Sequence, residues 1–166
     1  MGDTDTASVS IRTANKADFP ACESILRSLP DWFGIPASVE AYAGAVRAMQ
    51  TIVAVTDAGE IVGFLTLDSH NPSTIEIHVM AVVLQLHRTG VGRALINSAV
   101  EIAMRGGYRL LEVKTLGPSD TDRNYAATRC FYEAMGFLPV EEIDGLWPGN
   151  PCLIMVKVLD NLEIGE

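Results

Sequence analysis

The sequence predicts an α/β (α+β) fold built as one domain, and three observations carry that prediction. Residues 75–84, IEIHVMAVVL, are apolar or β-branched apart from Glu76 and His78, the pattern of a central strand covered on both faces. Shorter runs of strand type stand before and after it, interleaved with stretches of helical spacing. The chain has 166 residues, enough for one substantial core and not comfortably enough for two.

The elements follow in order. Residues 1–8 are polar at their start and read as a flexible tail, as do 161–166, leaving residues 9–160 as the domain. Val9 and Ile11 alternate in a first strand over 9–13. Asn15 or Asp18 caps a helix that runs to about Leu29, with Ala21, Ile25 and Leu29 four residues apart. A loop with two large aromatics, Trp32 and Phe33, leads to a second helix over about 37–49. Residues 51–56 and 61–67 flank Asp57-Ala58-Gly59-Glu60, a turn signal between apolar runs, and read as a hairpin. Residues 69–73, containing Asn71-Pro72, read as a break before the central strand.

On that strand Glu76, His78, Met80 and Val82 share one face and Ile75, Ile77, Val79 and Ala81 the other, so one face is wholly apolar and the other carries two ionisable groups. A loop rich in glycine and arginine follows. Helical spacing then places Val91, Leu95, Ser98 and Ile102 on one stripe, and the helix ends at Gly106-Gly107. The glycines therefore sit at a helix start, where backbone N–H groups lack intrahelical partners and the end of the helix is partly positive. Gly90 and Gly92 let a diphosphate approach the main chain, and Arg88 and Arg93 add charge beside it. A P-loop is excluded, because Arg93-Ala94 stands where Lys and Ser or Thr are needed. A dinucleotide fingerprint fails on Leu95, where a third Gly or Ala is required.

Residues 108–116 read as the next strand and 117–122 as a polar loop near a ligand. A helix over about 124–135 places Ala127, Cys130, Phe131, Ala134 and Met135 on one stripe, with Tyr132 at its margin. Residues 137–143 and 152–159 form the last two strands, and 144–151 the loop between them.

His87-Arg88-Thr89-Gly90-Val91-Gly92 after a strand resembles motif A of the GNAT superfamily, the GCN5-related N-acetyltransferases, with His87 in place of the usual Gln or Arg. Phe131-Tyr132-Glu133-Ala134-Met135-Gly136-Phe137 resembles motif B, and the likeness spans roughly residues 52–158. It implies the GNAT fold, a mixed, mostly antiparallel sheet of about six to seven strands flanked by about four helices. It implies acetyl-coenzyme A as acyl donor, its diphosphate held by His87, Arg88, Thr89, Gly90, Val91, Gly92 and Arg93 and its pantetheine arm by the backbone of Val82, where the next strand splays away. Relatives often place an asparagine seven residues before the tyrosine. That position is Tyr125 here, with Asn124 one residue off, and both are candidate contacts. The segment with Trp32 and Phe33 borders the acceptor site in the family; a plug over the core is the competing reading.

Acetyl transfer to an amine needs a neutral amine, a stabilised oxyanion and a proton for the departing thiolate. By the resemblance, Tyr132 protonates the coenzyme A sulfur and Glu76 stands at the position of a glutamate base. Burial among apolar neighbours disfavours the ionised form of a carboxylate, which suits a base working near neutral pH. His78, on the same face, competes for that role.

Composition bounds the rest. A net charge of −9 argues against nucleic acid as a partner and fits steering of a cationic amine, or merely solubility. The absence of an apolar run of membrane-spanning length predicts a cytoplasmic protein with no membrane association. Cys22, Cys130 and Cys152 lack paired spacing and predict reduced thiols, and the three histidines lack ligand spacing, so no metal is expected. Homodimers are common in the family, and one is an expectation here. The first functional expectation is an N-acetyltransferase acting on a small-molecule or protein amine. A non-catalytic acyl-coenzyme A sensor is the alternative, and a longer acyl group would need room near Met80 and Leu116.

Overall fold

The computed structural model describes residues 7–160; the expected tails fall outside these except for Ala7 and Ser8. The described residues form seven strands and four helices, in the order β1 Val9–Thr13, α1 Phe19–Arg27, α2 Pro36–Ala48, β2 Gln50–Thr56, β3 Ile61–Asn71, β4 Thr74–Val82, α3 Val91–Arg105, β5 Leu110–Leu116, α4 Arg123–Ala134, β6 Leu138–Trp147 and β7 Asn150–Val158. The strands form one sheet in the order β1-β2-β3-β4-β5-β7-β6. It is mixed: β4 and β5 are parallel, while β1–β2, β2–β3, β5–β7 and β6–β7 are antiparallel. The expected fold class is the one observed. By contacts the described residues fall into two compact units, one running up to Asp68 with His78–Ala99, the other Ser69–Ile77 with the residues from Val100 on. No helix among the described residues is long and apolar enough to cross a membrane.

In the first unit, Cys22, Ile25, Leu26 and Leu29 of the α1 region pack with Val39 and Val46 of α2 against Val53, Phe64, Val79 and Ala81. Trp32, Phe33 and Tyr42 lie partly buried against this cluster. Asn15 opens a 3-10 turn over 16–18 through a capping box, its side chain accepting from the Ala17 N–H at 3.0 Å while the Asp18 carboxylate accepts from the Asn15 N–H at 2.8 Å. Asp18 is buried and accepts from the two terminal guanidinium nitrogens of Arg12, at 2.6 and 3.0 Å. The Arg12 hydrogen bonds lower the Asp18 pKa against the opposing effect of burial. A depressed carboxylate contributes stability that is present above the unfolded value near 4 and lost as pH falls through the folded value. Asp18→Asn is therefore expected to cost about 1–3 kcal/mol at neutral pH and to flatten the loss of stability below about pH 4, read by thermal melts across pH.

Local signals misplaced four features. The break expected at 69–73 is a hairpin: β3 continues to Asn71, whose side-chain oxygen accepts from the Ser73 and Thr74 N–H groups at 2.8 and 3.0 Å, and Pro72 sits in the turn. The loop expected at 144–151 is strand as well, since β6 and β7 pair up to Trp147 and Asn150 around Pro148-Gly149, with Gly149 at φ 74°. The α3 stripe is rotated: Val91, Leu95, Ile96, Ala99 and Ala103 are fully buried, while Ser98 and Ile102 are only partly so. Finally, α4 buries Tyr132, followed by Met135, and exposes Ala127, Cys130 and Ala134. An alanine contributes little apolar area, whereas an aromatic ring buries about 150–250 Å², so the tyrosine sets the orientation.

The cysteines are free, Cys22 and Cys152 buried and Cys130 exposed. Burial pushes the Cys22 thiol up to about 12 and, outweighing Lys114, raises Cys152 as well. One equivalent of maleimide is expected to label the native protein, at Cys130, with the other two reacting only on unfolding, as peptide mass mapping would show.

Candidate active site

In the first unit, β4 ends at Val82 and the chain turns through a 3-10 segment, 84–86, into the loop preceding α3. His87 is tied back by a 2.8 Å contact from its Nε2 to the Val82 carbonyl, and its ring meets Trp32 edge-on at 5.4 Å. The Thr89 hydroxyl donates to the Leu86 carbonyl at 2.6 Å, and the Thr89 carbonyl accepts from the Ala7 N–H at 3.1 Å. Arg88 takes a positive φ of 63° and Gly90 one of 93°, after which the Ala94 N–H closes the first turn onto the Gly90 carbonyl at 3.0 Å. Val91 is wholly buried and anchors the helix start, whereas Arg88, Gly90 and Arg93 are exposed and Gly92 partly so. The loop thus presents backbone and two guanidinium groups to solvent while His87, Thr89 and Val91 hold its shape.

His78 is turned to the aromatic residues of the same unit. Tyr42 meets the His78 ring at 5.7 Å and the Phe33 ring at 5.7 Å, both edge-on.

In the second unit the parallel β4–β5 ladder pairs Thr74 with Leu110 through Ile77 with Val113 and sets Glu76 beside Glu112. Glu76 is buried, but not in the apolar setting expected for it. Lys114 Nζ lies 2.7 Å from Glu76 Oε2 and 3.0 Å from Glu112 Oε1, and His70 Nε2 is hydrogen-bonded to the same Glu76 oxygen. Burial lowers the Lys114 pKa, yet the hydrogen bonds to Glu76 and Glu112 outweigh it and leave a net rise. The ammonium therefore stays charged and matches the carboxylates. His70, Glu76 and Glu112 could also gather round a cation, but Lys114 already supplies positive charge there.

Tyr132, on α4, packs edge-on against Phe137 at 5.4 Å and tilted against Phe131 at 5.5 Å. At the start of this helix, Asp122 accepts from the Asn124 and Tyr125 N–H groups at 2.8 and 3.1 Å. Those backbone donors are engaged in capping the helix. The loop before α4 is tied to β6 by the Ser119 hydroxyl on the Glu142 carboxylate and bonded within itself by the Asp122 N–H on Asp120 at 2.9 Å.

A family model described as the acetyltransferase (GNAT) domain matches residues 48–139, more than half of the chain. The chain belongs to the GNAT acetyltransferase family. The GNAT fold is borne out by solved structures. A GNAT-family protein from Desulfovibrio desulfuricans superposes with a TM-score of 0.79 at 22% identity, covering 92% of this chain and 99% of that one. The ribosomal-protein-S18-alanine N-acetyltransferase of Escherichia coli gives 0.74 at 19%, covering 93% and 99%. A GNAT family acetyltransferase from Elizabethkingia anophelis, solved with acetyl-coenzyme A bound, gives 0.70 at 16%, covering 91% and 98%. Comparison with curated proteins returns no significant sequence match.

Sequence reasoning about this GNAT domain passed over His70, Glu112 and Lys114. One signal for the last two was in reach: Glu112 and Lys114 alternate within the apolar strand LLEVKTL as Glu76 and His78 do within β4. His70 lay in the stretch taken for a break.

Proposed function

We propose that this GNAT domain is an N-acetyltransferase that moves the acetyl group of acetyl-coenzyme A to a primary amine of a small molecule or protein by direct attack. The observation that carries the proposal is the loop from His87 to Arg93, exposed at Arg88, Gly90 and Arg93. Positive φ at Arg88 and Gly90 turns it tightly, it leads into the 15-residue helix α3, and Arg88 and Arg93 flank it. Turns of this kind form anion-binding concavities of N–H groups, and a helix start adds positive potential, so the residues fit a diphosphate. In this reading Gly90 and Gly92 offer main-chain donors, Arg88 and Arg93 offer charge, and His87, Thr89 and Val91 hold the loop in shape. The Val82 backbone and the side chains of Asn124 and Tyr125 meet the pantetheine arm.

The bound donor supplies an electrophilic thioester carbonyl. Glu76 takes the proton of the acceptor ammonium and Tyr132 gives one to the departing sulfur. The acceptor is a cation before reaction, in keeping with the net charge of −9. One structural neighbour is named for an alanine of ribosomal protein S18, which keeps a protein amine among the acceptors. A homodimer belongs to the same reading through the family resemblance, and a cytoplasmic location fits it.

Calorimetric titration with acetyl-coenzyme A, followed by chromatography of acetylated products from a panel of amines, tests the proposal. Binding with turnover supports it. Binding without turnover on any amine leaves an acyl-coenzyme A sensor, and no binding removes the donor site.

A further inference from the structure

Glu76 faces the difficulty of any buried base: a proton it accepts has to leave before the next turnover. Its side chain is 7% exposed, those of Glu112 and Lys114 are 13% and 24%, and that of His70 is 37%. The four groups come from β3, β4 and β5, all inside the second unit, and exposure rises along the hydrogen bond from Glu76 to His70. The fifth titratable group nearby is Cys152 on β7, wholly buried, where burial first and then Glu76 and Glu112 keep it a thiol against the pull of Lys114. With His70 neutral, the two carboxylates Glu76 and Glu112 share one ammonium, Lys114, and the group carries one unmatched negative charge. A proton on His70 brings that charge to zero.

We propose that His70 carries to solvent the proton that Glu76 takes from the acceptor ammonium, while Lys114, bridging Glu76 and Glu112, holds the Glu76 carboxylate in place. The inference rests on Glu76 being the base. One N–H bond of the ammonium breaks and its proton joins the Glu76 carboxylate. At rest the neutral ring donates its Nε2–H to the carboxylate; once Glu76 is protonated, the ring moves its proton to Nδ1 by exchange with solvent and accepts the carboxyl proton at Nε2, giving an imidazolium and restoring the carboxylate. The imidazolium releases its Nδ1 proton to water, which leaves the ring in its starting tautomer. The net change is one ammonium proton delivered to water. His70 acts through Glu76 and touches neither substrate.

The test compares wild type, His70→Gln, His70→Ala and Glu76→Gln. Each is assayed with acetyl-coenzyme A and the fastest amine from spermidine, tyramine and an alanine-initiated peptide, with circular dichroism melts as the folding control. Gln can still donate to Glu76 but cannot carry a proton, so a purely structural His70 would be largely replaced by it. The expected result is kcat down about tenfold or more in both His70 variants, with the KM for acetyl-coenzyme A unchanged. Added imidazole is expected to raise kcat of His70→Ala and leave that of wild type alone. His70→Gln at the wild-type rate, or His70→Ala deaf to imidazole, overturns the relay while leaving the base intact. Glu76→Gln at the wild-type rate overturns the base, and wild type inert toward all three amines removes the activity on which both rest.

Discussion

Gly90→Glu is expected to weaken acetyl-coenzyme A binding about a hundredfold or more, with Gly90→Ala as the reference. At φ 93° any side chain strains the backbone, so alanine and glutamate both bear that cost. Only glutamate adds a negative charge where the proposal seats a diphosphate. Each charge-assisted hydrogen bond is worth about 1.5–3 kcal/mol, so losing two costs about 3–6 kcal/mol, or about two to four powers of ten in Kd. Calorimetry on variants with matched melting temperatures reads the difference. Equal binding by Gly90→Ala and Gly90→Glu would mean that the glycine serves the backbone turn alone.

Tyr132→Phe is expected to lower kcat about 10²–10³-fold with little change in Kd for acetyl-coenzyme A, because it removes one hydroxyl and keeps the ring. The ring is what the structure spends on packing, against Phe131 and Phe137 at 5.5 and 5.4 Å, so the fold survives the change. The expected stability cost of the hydroxyl is about 0.5–1.5 kcal/mol, a few degrees in melting temperature. Tyr132→Leu, by contrast, removes both ring contacts and is expected to lower stability and rate together. A Phe variant that keeps the wild-type rate would make Tyr132 a packing residue, as its burial also permits.

These outcomes bear on different kinds of information in the chain. Strand and helix order was legible because apolar period and turn chemistry are local: the run 75–84 and the turn 57–60 needed no partner to be read. Motif A was legible because main-chain recognition demands particular residue types, glycine at a positive φ above all, and Gly90 has one. The α4 stripe was misread because period alone does not rank faces. Three alanine or cysteine positions looked apolar enough to be buried, and a single tyrosine outweighed them. Residues 69–73 were misread because Asn-Pro marks a turn equally well whether the chain stops there or doubles back into the next strand.

The chain by itself determined its fold class, its family and the loop from His87 to Arg93, since each depends on residues close together in sequence. Only the tertiary structure decided the surroundings of Glu76. The parallel register places Glu112 beside it, Lys114 reaches across from β5, and His70 faces it from the paired strand just before the hairpin turn. Lys114 stands 38 residues from Glu76 in sequence, and an electrostatic partner acts through distance in space, which no local pattern encodes.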